Sequence, residues 1–234
     1  MSMAAGAKST STKGRTRRAR DSLSREIIVA AAEKVAQRDG IDGLTFQAIG
    51  DELDAHPTSI YRHFRDKHEL LLALIDTLRA RSYSDAFKAT DDWIADLRTH
   101  ARSIHDHYMR YPEFALLMAT RRPTDASSLE FALDALLRGG FPPAEAALYS
   151  RALGTLARSA SSIEAAIQAL PVETRTADEL AWQVDARRLD PERFPNVTRV
   201  GADLPEVSDP RAWETALELM LEGLARRAEA LRTS

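Results

Sequence analysis

The sequence predicts an all-α fold: a small N-terminal three-helix unit with the outline of a helix-turn-helix, followed by a larger C-terminal helical domain. Three observations predict the helices. Apolar residues recur at three- and four-residue spacing through most of the 234 residues, no alternating run of useful strand length appears, and prolines and glycines interrupt the chain at helix-like intervals. A hydrophobic content of 44% is enough to bury a core, so disorder of the whole chain is excluded.

The first helix is expected to start at Ser24 as N-cap and to run to about Arg38, with Ile27, Ile28, Ala31, Ala32 and Val35 inward and Gly40 as its stop. Gly40-Ile41-Asp42-Gly43 turns the chain, and Ile41 and Leu44 should plug the three-helix core. Thr45 caps a second helix whose Ala48, Ile49 and Leu53 share one face. Asp54-Ala55-His56 breaks it. Pro57 then suits a first helical position, where its missing N–H costs nothing, and Ile60 and Phe64 give a helix of about two turns its apolar side. Asp66 with Glu69 reads as a capping box ahead of the run Leu70, Leu71, Leu72, Leu74, Ile75, Leu78.

Polar residues near 82 to 90 mark a joint. Beyond it Thr90 is expected to cap a helix to about Arg110, and Pro112 to begin another as far as Arg121. A helix containing Leu129, Phe131, Ala132, Leu133, Leu136 and Leu137 follows and stops at Gly139-Gly140. Pro142 and Pro143 open a long one to about Leu170. Residues 171 to 209 read as a long connection with short helical pieces near 176 to 187. Pro210 starts a last helix with an apolar stripe of Trp213, Ala216, Leu217, Met220, Leu221, Leu224 and Ala228.

The polar face of the short helix carries the chemistry. Thr58, Ser59, Tyr61, Arg62 and His63 are short polar, aromatic or cationic groups near the N-terminal end of a helix that fits the major groove of B-DNA. Thr45 and Gln47, at the start of the preceding helix, are within reach of a base or phosphate. Lys67, with the free N–H groups of its own helix start, suits a phosphate. A solvated face on a small bundle would show the same stripe. The charge distribution favours DNA: the chain is −3 overall, yet residues 1 to 68 hold twelve basic and nine acidic groups. Residues 1 to 20, with Lys8, Lys13, Arg15, Arg17, Arg18 and Arg20, should be a disordered arm, either following the DNA backbone or solvated. The domains expected are that arm (1–20), the reader (21–68) and the helical domain (69–234).

Other classes are disfavoured. There is no cysteine, so disulfides, thiolate metal sites and a cysteine nucleophile drop out. No apolar run approaches the roughly 18 residues that span a bilayer, and the N-terminus lacks the apolar core of a secretory signal, so the cytoplasm is expected. No GxSxG, P-loop or GxGxxG pattern appears, so neither an enzyme nor a cofactor is expected. His100, His105 and His107 lie in one helix, but only His100 and His107 share a face, two turns apart, so no metal is expected either.

From Ser24 to about Leu78 the pattern resembles the TetR family of transcriptional regulators. The apolar run of the first helix, Gly-x-x-Gly-Leu-Thr at 40–45, Ile-Tyr-x-His-Phe at 60–64 and Lys-x-x-Leu-Leu carry the likeness. Asp54 stands where the family usually has Gly; aspartate also tolerates a left-handed turn. Arg-Pro-Thr at 122–124 and the stretch Gly-Phe-x-x-x-x-x-Ala-Leu-Tyr at 140–149 look like the tetracycline-repressor branch. That resemblance implies a homodimer built from helices at about 142–170 and 210–232, a DNA operator with palindromic character, and a core cavity for an effector. Ile104, Tyr108, Phe114, Met118 and Phe131 would line it, with His100 or Arg121 as the polar contact. The branch places a metal-ligating histidine where Met118 stands, so tetracycline–magnesium is not the expected effector; a small apolar or amphipathic molecule is. The alternative is a C-terminal domain that only dimerises or binds a protein.

Overall fold

The computed structural model describes residues 23–83, 86–121, 126–204 and 209–233, and among these it is helical throughout, with no strand. Helix α1 (Arg25–Gly43) starts where the Ser24 hydroxyl accepts the Ile27 N–H at 3.3 Å and bends at Gly40, where φ is 76°. Ile28, Ala31, Ala32 and Val35 are buried with Val29 and Ala36. Ile27 is not inward as expected: it is 44% exposed. The buried stripe centres on Ile28, Ala32, Val35 and Ala36, spacing that leaves position 27 at its outer edge.

Helix α2 (Phe46–Glu52) is capped by the Thr45 hydroxyl, which accepts the Ala48 N–H at 3.1 Å. Asp54, at φ 49°, makes the left-handed turn, and the Ala55 N–H closes it by donating to the Gly50 carbonyl at 2.8 Å. Helix α3 (Pro57–Ile60) keeps α-geometry for one turn. About two turns were expected; hydrogen bonds from Tyr61 N–H to Pro57 O and from Phe64 N–H to Ile60 O instead continue the chain as turns to Phe64. At the head of α4 (Lys67–Tyr83), Asp66 accepts the Glu69 N–H at 2.8 Å. The Glu69 carboxylate reaches back to the Arg65 N–H, one residue before the position a capping box would use.

Helix α5 (Trp93–Arg110) is the centre of the C-terminal half. Its cap is Asp92, whose Oδ1 accepts from Ile94 and Ala95, and not Thr90 as the sequence suggested. Thr90 lies further out and instead donates its N–H and hydroxyl to the buried Asp96, which Arg138 also grips. The stretch expected as one helix from Pro112 divides into a 3-10 turn at Pro112–Phe114 and the short α6 (Ala115–Ala119). Then come α7 (Ser127–Arg138), stopped at Gly139 and Gly140, and α8 (Pro143–Gln168). The connection at 171–209 is more helical than expected: α9 (Val172–Ala186) runs for 15 residues and α10 (Pro195–Val200) follows a turn. Because α9 buries none of its residues, it carries no core-facing stripe to betray it. Helix α11 (Pro210–Arg232) is capped by Asp209 and buries Trp213, Leu217, Leu221, Leu224 and Ala228.

α5 packs against α7, α8 and α11 on its sides and against α4, while α1 holds α2 and α4. The buried apolar residues from Ile28 to Ala228 form one continuous cluster, so α4 passes from the reader into the second half without leaving the core.

Candidate nucleic-acid interface and the polar core behind it

On α3 and the turn after it, Thr58, Tyr61 and Arg62 are exposed and Ser59 and His63 partly so, above the fully buried Ile60 and Phe64. Tyr61 is 58% exposed, its ring set edge-on against Phe46 at 4.6 Å, so the phenol is held out from the surface in one direction. The His56 ring nitrogen Nδ1 accepts the Thr58 N–H and lies 2.9 Å from the Thr58 hydroxyl, which fixes the start of the helix. Thr45 and Gln47 are exposed beside this face; the Thr45 hydroxyl caps α2, and Gln47 donates to Asp51 at 2.9 Å. Lys67 is partly buried and donates to the Ile41 carbonyl at 2.8 Å. The ammonium expected to meet a phosphate thus ties the last turn of α1 to the head of α4.

Arg25 was not singled out from the sequence. It donates to the His63 carbonyl and to Glu69 and lies 4.0 Å over the Phe64 ring, bracing α1 against the reader. Its partners lie about forty residues away, beyond any local pattern.

In the second half, His100, Ile104, Tyr108, Phe114, Met118 and Phe131 are all buried, at 6% exposure or less. Arg121 is only partly buried and stands 3.4 Å from His68, at the edge of this group. His100 approaches the Ser128 hydroxyl at 3.5 Å and the Phe87 ring at 5.8 Å. Burial, helped by the Arg158 charge, pushes it down to about 4 and keeps it neutral. His107 faces Ser82 at 2.8 Å and is likewise pushed down to about 4 by burial and by Arg79 and Arg110. Tyr108 is raised to about 12 by burial, against the pull of Arg79 and Arg158.

The buried Arg79 and the partly buried Tyr83 and Arg158 were not singled out from the sequence, and His107, also buried, was weighed there only as a metal ligand. For Arg79 a signal existed, since it continues the buried spacing Leu71, Ile75, Leu78 on α4. His105 turns the other way: it stacks on Trp213 at 5.4 Å and contacts Glu164 at 2.9 Å, so the three histidines do not converge. A separate cleft of about 750 Å³ lies between α9, α10 and the head of α11, lined by Trp182, Leu189, Val197, Leu204 and Arg211 among others, and includes none of the seven expected ligand residues.

An exposed recognition helix carried on a core that continues into a second helical domain defines a helix-turn-helix transcription regulator with a sensor domain. The chain belongs to the tetR family of bacterial regulatory proteins: residues 28–74 match that family's model, and residues 88–228 match the tetracyclin repressor-like C-terminal domain. That family is one of DNA-binding transcriptional regulators. The class A tetracycline repressor protein from transposon 1721 of Escherichia coli is 29% identical over 211 residues, 88% of this chain and 92% of that one. Among solved structures, ActR of Streptomyces coelicolor in complex with actinorhodin superposes with a TM-score of 0.73 at 21% identity, over 87% of this chain and 96% of its own. A TetR variant of Acinetobacter baumannii in complex with minocycline gives 0.62 at 22%, over 91% and 99%. At these identities the two structures speak for the fold.

Proposed function

We propose that this chain is a repressor that binds a partly palindromic operator as a homodimer and leaves it when a small apolar or amphipathic molecule enters the C-terminal core. One observation carries the reading: α4 starts beside the exposed face of α3 and ends among buried polar groups of the core, so one rigid element touches both events. That two proteins of this fold were crystallised with actinorhodin and minocycline supports a core built for a ligand. On this reading Thr45, Gln47, Thr58, Ser59, Tyr61, Arg62, His63 and Lys67 meet DNA. His100, Ile104, Tyr108, Phe114, Met118, Arg121 and Phe131 meet the effector. Residues 1–20, outside the described residues, form the basic arm of a reader at 21–68, and the cytoplasm is the setting. No helix among the described residues is long and apolar enough to cross a membrane.

Dimerisation is assigned to α8 and α11, which leave Leu148, Ile163 and Leu219 exposed on a single chain. A monomer in sedimentation at micromolar concentration would contradict it. The reading is tested by selecting bound sequences from random DNA and measuring their affinity for Tyr61→Ala and His63→Ala. Each variant should lose about 1–3 kcal/mol of specific binding with its helix content intact. Parental affinity in both would sink the docking.

A further inference from the structure

The C-terminal half holds two guanidiniums, at least one of them deeply buried, that no carboxylate among the described residues neutralises. Among the described residues Arg79, on α4 and 7% exposed, makes a single hydrogen bond, 3.4 Å from Nη2 to the Met118 carbonyl, while its buried Nη1 has no partner. Arg158, on α8 and partly buried, folds back over Gly154, where a Cβ would stand 2.9 Å from its Nη1; the missing side chain makes the room. The charged and titratable groups acting on Arg158 are the phenols of Tyr108 and Tyr83 and the guanidiniums of Arg151 and Arg79. Neither Arg79 nor Arg158 meets a carboxylate among the described residues.

Polar atoms without a partner among the described residues lie beside them: the Tyr108 hydroxyl and His107 Nε2, in residues 1% exposed. An aromatic wall stands beside them, with Phe87 5.2 Å from Tyr83, 5.8 Å from His100 and 5.1 Å from Phe131. Buried guanidiniums without an acid destabilise a fold, and unpaired buried groups persist where something else completes them. The complement of this set is a planar apolar body that ends in anionic oxygens, because a guanidinium presents a fork of N–H donors that matches a carboxylate.

We infer that the effector is an aromatic organic acid, its anionic oxygens held by Arg79 and Arg158 with the Tyr108 hydroxyl as a further donor and its rings against Phe87 and Phe131. This rests on the reading of the core as an effector site and adds the ligand's charge. It also supplies the coupling, because Arg79 stands on α4. An anion that pulls the two arginines together draws α4 toward α8, and α4 carries the head of the reader at its other end.

The test uses the full chain with a matched pair of probes, 1-naphthoate and the neutral 1-naphthamide, titrated by fluorescence and by thermal shift. Naphthoate should bind about tenfold or more tightly than naphthamide, the margin expected for a charge-assisted hydrogen bond. In Arg79→Met and Arg158→Met that ratio should fall to within about twofold, with the affinity for naphthamide little changed; Arg158→Lys should keep part of the preference. Without ligand, the Met variants should melt at or above the parental temperature, whereas arginines retained for the fold would lower it on removal. Equal affinity for the two probes, or a preference that survives both Met variants, overturns the acid assignment and leaves the effector core standing. Binding of neither probe overturns the acid and counts against the core as an effector site, and melting below the parent in both Met variants makes the arginines structural.

Discussion

Gly50→Ala should separate the reader from its own scaffold. A Cβ at that position would lie 2.6 Å from the Ala55 carbonyl oxygen and 3.4 and 3.5 Å from two carbons of Pro57. Carbon and oxygen settle at about 3.3 Å or more, so the shortfall against Ala55 is about 0.7 Å. The oxygen belongs to the backbone of the segment whose N–H closes the turn on Gly50, and the Pro57 ring that opens α3, already at van der Waals contact, leaves no slack behind it. Relief must therefore swing α3 away from α2. Overpacking of this kind costs about 1–3 kcal/mol, against which alanine's helix preference returns about 0.5–1. A net loss of about 1–2 kcal/mol lowers the melting temperature by about 2–8 °C in a chain of this size. Operator affinity should fall further than stability, because α3 has moved relative to the helix that aims it. Calorimetry and fluorescence anisotropy on the selected operator read the two effects. A variant that melts and binds like the parent would show that the close approach of α2 to the turn is not what positions the reader.

Further perturbations test the second half. His100 and His107 are held neutral with values near 4, so their contribution to stability is complete above about pH 6.5 and is lost as the pH falls toward 4. The loss should approach about 1.4 kcal/mol per pH unit for each histidine; denaturant midpoints from pH 7 to 4 measure it, and a slope unchanged in the His100→Gln, His107→Gln double variant refutes it. Asp96→Asn should cost about 1.5–3 kcal/mol in urea unfolding, since charge-assisted bonds from Thr90 and Arg138 are lost. Burial alone would raise the Asp96 carboxyl, but Thr90 and Arg138 outweigh it and hold it below the ordinary carboxylate range. The parent should therefore lose this contribution as the pH drops below about 4, so its stability should fall more steeply there than the variant's. Met118→Trp adds bulk at a fully buried position, so it should block an effector or mimic one; a parental response in operator release would put the ligand elsewhere.

The reader was legible because its signals are local. Ser24, Thr45, Pro57 and Asp66 each mark a helix start within a few residues of the groups they cap, and the structure uses all four. At the head of α5 the sequence reading took Thr90 as the cap, but Thr90 donates to Asp96, which the distant Arg138 also holds, and Asp92 caps the helix. Ile27 looked inward because periodicity fixes a face only to within one residue at a helix end. Arg79 and Arg158 were passed over because an arginine's burial is decided by tertiary neighbours, and the groups acting on Arg158 come from α4, α5 and α8. The same distance hid the contact of Lys67 with Ile41.

Helix α9 raises a different matter, that of how firmly each part of the chain is folded. Its 15 residues bury nothing, and Val172, Leu180, Trp182 and Val184 point their apolar surface outward. An isolated helix of that length is marginal in water, so on a single chain its amide protons should exchange orders of magnitude faster than those of α5, and a protease should cut there first. Whatever settles on that face adds its binding free energy directly to a local opening equilibrium that starts near zero, which makes protection of the α9 amides a sensitive gauge of occupancy.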